Sequence, residues 1–269
     1  MFLNTFFLLV LFIIGAAVGS FTSVIIYRIH KGEKGMLTGR SKCPNCSTQL
    51  KALDLIPIVS YLTLRGRCRS CNKDISYMYP LLEFFSGFLF AFLYLKFPFF
   101  DGVTLHLSSV QLGLYLLYAF YTFVLLFTFF YDLHYLKVAD EVLLPAILIG
   151  LIATLAAPLT PHFFDALLGG AIAAGFFGLQ YLVSKGKWVG MGDARVGGFM
   201  GVILGWKMVI VALFLSYIFG SIASIFIAMK KKKLAGVKIP FAPFLVLGTF
   251  AVIFFGEDIL GLYLRGIGF

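Results

Sequence analysis

Acidic residues are scarce in this 269-residue chain: 12 Asp and Glu stand against 22 Lys and Arg, and charged side chains of either sign make up only 13%. Ordinary soluble domains carry about 25% charged residues. Hydrophobic residues reach 61%, with 32 phenylalanines, and the mean hydropathy is +0.98. So much apolar surface excludes a soluble domain and identifies a bilayer as the solvent. The first 27 residues lack any charged side chain. A secretory signal carries its cations before the apolar run; here they follow it, from Arg28, which predicts a retained anchor with its N-terminus outside. Low-complexity tracts, internal repeats and long polar linkers are missing. Histidine is sparse and scattered, with His30 and His134 expected inside and His106 and His162 outside, so no histidine pair suggests a metal site. Cysteine occurs only four times, all between residues 43 and 71.

The apolar runs predict an all-α polytopic membrane protein. A helix needs about 20 apolar residues to cross the hydrocarbon core. Uncharged runs give eight candidate spans, at roughly 3–27, 81–99, 109–130, 140–157, 162–183, 195–206, 208–229 and 239–257. The run 195–206 is short and Gly-rich and suggests a kinked or re-entrant piece. With the N-terminus outside, 19 of the 22 Lys and Arg fall in inside segments, and only Lys96, Lys207 and Arg265 are left outside. That asymmetry is the positive-inside pattern. It accounts for the formal net charge of +10 without a nucleic-acid partner. The run Lys230–Lys233 reads as a cytoplasmic stop. Three regions follow: a first transmembrane helix over 1–27, a cytoplasmic four-cysteine domain over 28–80, and a transmembrane domain over 81–269.

The cysteines form two C-x-x-C knuckles, Cys43-Pro-Asn-Cys46 and Cys68-Arg-Ser-Cys71, separated by 21 residues. Four thiolates at this spacing suit a tetrahedral structural zinc. A reducing cytoplasm disfavours disulfides. Reduced cysteines packing as small hydrophobes fit poorly among Arg40, Lys42, Arg65, Arg67, Arg69 and Lys73. A loop of this size cannot build its own core, and a metal supplies what is missing. The expectation is a small zinc-ribbon-like domain.

Ionisable side chains at membrane depth point to function. Asp132 ends the third span and Asp193 stands in Gly190-Met191-Gly192-Asp193, and the topology carries both to the inside face. Paired carboxylates are the equipment of an aspartic protease: one takes a proton from water while the other, protonated, polarises the scissile carbonyl. Held close together they cannot both be ionised and they titrate as a pair. Gly190 and Gly192, lacking side chains, would let a substrate backbone approach, with Met191 a packing residue. Blander roles exist for each aspartate alone, an interfacial anchor for Asp132 and a helix cap for Asp193. Asp140 and Glu141 form a further inside acidic pair suited to capping, to holding a substrate amine or to tuning the aspartates.

Taken in order, these motifs resemble the type IV prepilin peptidases. The resemblance rests on Gly19-Ser20-Phe21 with Tyr27-Arg28, on Lys42-Cys43-Pro44-Asn45-Cys46, and on Leu55-Ile56-Pro57. It continues through Leu64-Arg65-Gly66-Arg67-Cys68-Arg69-Ser70-Cys71, Tyr79-Pro80-Leu81-Leu82-Glu83, Asp132, the G-x-G-D at Asp193, and Ile239-Pro240-Phe241-Ala242-Pro243-Phe244. It covers nearly the whole chain. It implies that Asp132 and Asp193 are catalytic and that no catalytic metal is used. It also implies that a basic leader is cut at the cytoplasmic face and the new terminus N-methylated from S-adenosylmethionine, with the cysteine loop associated with methylation. The implied substrates are prepilins and pseudopilins of type IV pili, type II secretion or DNA uptake, and the implied location is the bacterial inner membrane. The chain departs from the family pattern at Ser23 (commonly Asn), Ala139 (often Pro), Ala194-Arg195-Val196 (usually Val-Lys-Leu) and Ala242 (often Gly). None of these removes a carboxylate.

Three other readings compete. Presenilin-type intramembrane proteases also pair a Tyr-Asp, matched by Tyr131-Asp132, with a G-x-G-D, but they lack cysteine knuckles. A proton-coupled transporter would use intramembrane aspartates and broken spans, but it would place them nearer the midplane. A zinc-stabilised scaffold without chemistry is a third alternative.

Overall fold

The structure is a computed structural model, and it describes residues 2–33, 39–101, 106–155, 161–231 and 239–266. Lys34, Lys232, Lys233 and Lys238, counted above among the inside cations, lie outside these residues. The elements run α1 (Phe2–Lys31), a 3-10 turn (Ala52–Leu55), α2 (Val59–Thr63), α3 (Met78–Lys96), β1 (Phe100–Asp101), β2 (His106–Leu107), α4 (Ser109–Tyr135), α5 (Asp140–Ala153), α6 (Phe163–Ser184), α7 (Met191–Lys231) and α8 (Ala242–Gly266). β1 and β2 form one short antiparallel pair. Among the described residues, six helices (α1, α3, α4, α6, α7 and α8) are long and apolar enough to cross a membrane. The chain is an all-α, multi-pass membrane protein. It divides into two compact units, 1–130 and 131–269.

In the first unit α1 packs on α3 through small residues. A Cβ at Gly15 would meet Ser86 O at 2.7 Å, and one at Gly19 would meet Leu82 O at 2.8 Å. Gly87 of α3 faces Phe12 O at 2.7 Å in the same sense. Close backbone approach across small residues is how membrane helices associate when apolar burial gives no advantage over lipid. The far end of this pair is closed by Phe7, Tyr94, Phe99 and Tyr115 in ring contact.

In the second unit α7 is two limbs. Gly205 has φ 74° and ψ 171°, outside the helical region, in a conformation that suits glycine. Gly197 packs on Phe177 and Gly201 on Gly169, so the first limb runs along α6 toward its N-terminus. Beyond the break, Tyr217 reaches back to Gln180 and Phe176. The chain therefore reverses at Gly205. A Cβ at Gly201 would stand 2.1 Å from Gly169 O, so the contact between α6 and the first limb is backbone to backbone. α8 then lies along the second limb, with Gly256 at Met208, Gly248 at Ser216 and Gly220 at Phe244.

Leaving aside the five-residue α2 and taking α7 as two limbs, the described residues hold eight helical stretches, and the sequence shows eight apolar runs. Two fall short of the length expected of a full span. α5 has 14 residues with Pro145 inside it. The first limb of α7, residues 191–204, has a helical rise of about 21 Å against a hydrocarbon core of about 30 Å. The sequence divides 195–206 from 208–229 at Lys207. The backbone breaks two residues earlier, and the Lys207 ammonium lies 5.5 Å from the centre of the Trp206 ring.

Candidate active site

Asp132 and Asp193 both belong to the second unit. Asp132 lies in the last turn of α4. Leu136 closes that helix with φ 52° and donates its N–H to Asp132 O at 2.8 Å. Asp193 lies in the first turn of α7, where its own N–H reaches Gly190 O at 3.1 Å. The two carboxylates are within electrostatic reach of one another.

Each carboxylate is oriented by a backbone donor. The N–H of Ala242, first residue of α8, donates to Asp132 Oδ2 at 3.1 Å. The first N–H groups of a helix have no partner within it, and they suit a carboxylate. The Gly190 N–H donates to Asp193 Oδ2 at 2.9 Å. Asp193 thus reaches back to the residue preceding the helix, as the acidic residue of a capping box does. Its capping role and its membership of the pair coexist. Asp132 is 6% exposed, with Tyr131 and Ala139 also buried beside it in sequence.

The loop 136–139 and the start of α7 are locked together. A Cβ at Gly192 would meet Val138 Cγ2 at 2.8 Å. One guanidinium nitrogen of Arg195 holds both oxygens of Asp140, at 2.5 and 2.6 Å. The loop leaving Asp132 is thereby fastened to the helix carrying Asp193. Phe241, just before the Ala242 donor, packs its ring on Phe177 and Tyr217. Tyr217 exchanges hydrogen bonds with Gln180 at 3.0 and 3.2 Å, and it lies within electrostatic reach of Asp193.

Several expectations change. Gly192 has a packing reason, the approach of Val138. Met191, read as a packing residue, is 42% exposed. Asp140 serves Arg195 and begins α5. Arg195, Val138 and the Ala242 N–H were not marked by the sequence as site residues. In the sequence Ala242 is part of the segment 239–244 and a departure from the family's glycine, and a main-chain donor leaves no side-chain signature.

The four cysteines belong to the first unit. Their Sγ atoms all lie within 4.8 Å of one another, with Cys43 and Cys68 buried. The two knuckles repeat each other. Cys43 N–H bonds Thr48 O and Ser47 N–H bonds Cys43 O, while Cys68 N–H bonds Lys73 O and Asn72 N–H bonds Cys68 O, all at 2.9 Å. Ser47 and Asn72 carry matching positive φ angles, 57° and 53°. Each knuckle is closed by a β-bridge, Lys42 with Gln49 and Arg67 with Asp74. Hydrogen bonding with Thr48 lowers the Cys46 thiol to about 6, while Cys71 is raised to about 11, a backbone hydrogen bond at Lys73 being outweighed by burial and the neighbouring thiols. Four converging sulfurs, two of them buried, are the donor set of a tetrahedral soft-metal site.

A model of the Bacterial Peptidase A24 N-terminal domain matches residues 13–97, including all four cysteines. A model of the Type IV leader peptidase family matches residues 119–225, including both aspartates. Proteins named prepilin leader peptidase/N-methyltransferase are similar over most of their length. That of Legionella pneumophila is 30% identical over 96% of this chain and 95% of its own. That of Bacillus subtilis is 29% identical over 95% and 97%, and that of Stutzerimonas stutzeri 28% over 96% and 94%. No solved structure matches the chain. The chain belongs to the type IV leader peptidase family.

Proposed function

We propose that Asp132 and Asp193 are the hydrolytic pair of a membrane peptidase that removes the leader of prepilins and pseudopilins and then N-methylates the new N-terminus. The observation that carries this is the meeting of two carboxylates at the ends of α4 and α7, each held by a backbone N–H. One carboxylate takes a proton from water as its oxygen attacks the scissile carbonyl. The other, protonated, gives its proton to the carbonyl oxygen. The tetrahedral diol then collapses, the C–N bond breaks, and a proton passes to the leaving amine. The Ala242 and Gly190 N–H groups keep the two side chains in place throughout.

The location is the bacterial inner membrane. The N-terminus is outside, and the cysteine loop and both aspartates are at the cytoplasmic face, an orientation supported by the distribution of Lys and Arg. The substrate's apolar segment lies along the spans, with its scissile bond at the interface. Cys43, Cys46, Cys68 and Cys71 hold a structural zinc, which supplies stability to a loop too small for a core and takes no part in hydrolysis. S-adenosylmethionine is the methyl donor for the second reaction.

Incubating the purified protein in detergent with a synthetic prepilin tests this reading, with products weighed by mass spectrometry. Loss of the leader mass, followed by gain of one methyl only when S-adenosylmethionine is added, is the expected result. An intact prepilin in the presence of folded protein would contradict it.

A further inference from the structure

Exposed apolar side chains on the spanning helices are covered by lipid. The stretch 52–63 lies outside every helix long enough to cross, yet it exposes Leu53 (68%), Leu55, Ile56, Val59 and Leu62 (67%). Neither the 3-10 turn nor α2 buries a residue. Such a cluster on a small polar module marks a surface that another phase or partner covers.

Two observations identify what covers it. The first is a clamp. The Ile58 N–H donates to Glu83 Oε2 at 2.7 Å, and Glu83 is buried in α3, which begins at Met78. Five residues of helical rise put Glu83 roughly 7–8 Å along α3 from its first residue. Ile58 itself has φ 62° and ψ −50°, a region β-branched residues avoid, so the clamp holds the chain against a local preference. The apolar cluster is therefore fixed level with the first turns of a membrane helix. The second is charge. Residues 39–77 contain seven Lys and Arg and two Asp. Lys51, Arg65, Arg67 and Arg69 flank the cluster and are exposed, with Arg67 also pairing with Asp74 and Arg69 with Asp54. Apolar side chains ringed by cations match the boundary between acyl chains and anionic headgroups.

We infer that residues 53–62 are an interfacial anchor seated in the anionic leaflet of the bilayer, and that Glu83 is the positioning residue that sets its depth. The four-cysteine module then lies on the membrane surface instead of hanging free beneath it.

The test uses the full-length protein in phosphatidylcholine–phosphatidylglycerol vesicles, with Trp188→Phe and Trp206→Phe removing the native tryptophans. Leu53→Trp and Leu62→Trp report from the cluster, and Lys73→Trp reports from a knuckle. The quencher is phosphatidylcholine brominated near the start of its acyl chains, and zinc content verifies each module. The expected result is blue-shifted, strongly quenched emission from positions 53 and 62, and solvent-like, unquenched emission from position 73. Adding Glu83→Ala should weaken quenching at 53 and 62, and Glu83→Gln, which keeps an acceptor, should restore it. Solvent-like emission at both cluster positions would overturn the proposal. Blue-shifted emission without lipid quenching would also overturn it, because protein would then cover the patch. Burial only on addition of a synthetic prepilin would overturn it in favour of a substrate-docking surface.

Discussion

The Ala242 N–H donates to Asp132 Oδ2 at 3.1 Å across 110 positions of sequence, tying the start of α8 to the end of α4. Ala242→Pro removes this donor. Proline is tolerated at the first position of a helix, but at this fully buried residue its ring carbon also takes the place of the proton facing Asp132 Oδ2. Losing one hydrogen bond to a charged group costs about 1.5–3 kcal/mol, so cleavage should fall roughly 10- to 100-fold. Ala242→Gly keeps the donor and should stay close to wild type. Initial rates on one prepilin decide it.

The Arg195–Asp140 pair is half-exposed, with both side chains at 39%. Exposed pairs are worth about 0–1 kcal/mol, so Arg195→Ala should shift thermal stability little. Its expected effect is on cleavage, because it loosens the loop between Asp132 and α5. The reciprocal change, Arg195→Asp with Asp140→Arg, should recover part of the loss. Melting curves and kcat measured together separate the two effects.

The knuckles repeat one another bond for bond, so Cys43→Ser and Cys68→Ser should behave alike. Each should reduce zinc from about one per chain to near zero and make residues 39–77 sensitive to protease. Chelation of wild type should do the same. Metal analysis and limited proteolysis check both.

Acid should loosen this module partly through Asp54. Burial pushes its carboxyl upward, but the Arg69 guanidinium at 2.8 Å and the Lys51 N–H at 3.1 Å more than offset this and hold it below the usual range. A depressed carboxyl contributes its full stability above the unfolded value, about 3.9. It loses that contribution as pH falls through the lower folded value. With Arg69 half-exposed, the contribution is below about 1 kcal/mol. Asp54→Asn should be less stable than wild type at neutral pH, and the gap should close on acidification below about pH 4. Proteolysis of the two proteins across that range, at equal metal load, measures it.

Much of this was legible in the sequence because hydropathy and ligand spacing are local signals. Asp132, Asp193 and the cysteines stand out as charges or thiols in unusual company. The eight apolar stretches emerged from charge-free runs. What was hidden depends on tertiary contact. Charge runs mark Lys207 as a boundary, but the reversal is at Gly205, where the backbone conformation decides. The reason for Gly192 is Val138, 54 positions away, and the donor to Asp132 is a main-chain N–H. Asp140 reads as an acidic accessory until Arg195 is seen to hold it.

The most direct test of the central claim is prepilin cleavage by wild type, Asp132→Asn, Asp193→Asn and the double variant, each shown to be inserted and to retain zinc. Groups that act as a unit are not additive. Each single change should lower the rate on the order of a thousand-fold or more, and the double variant should be no worse than the singles. Appreciable cleavage by either single variant would contradict the assignment of the pair.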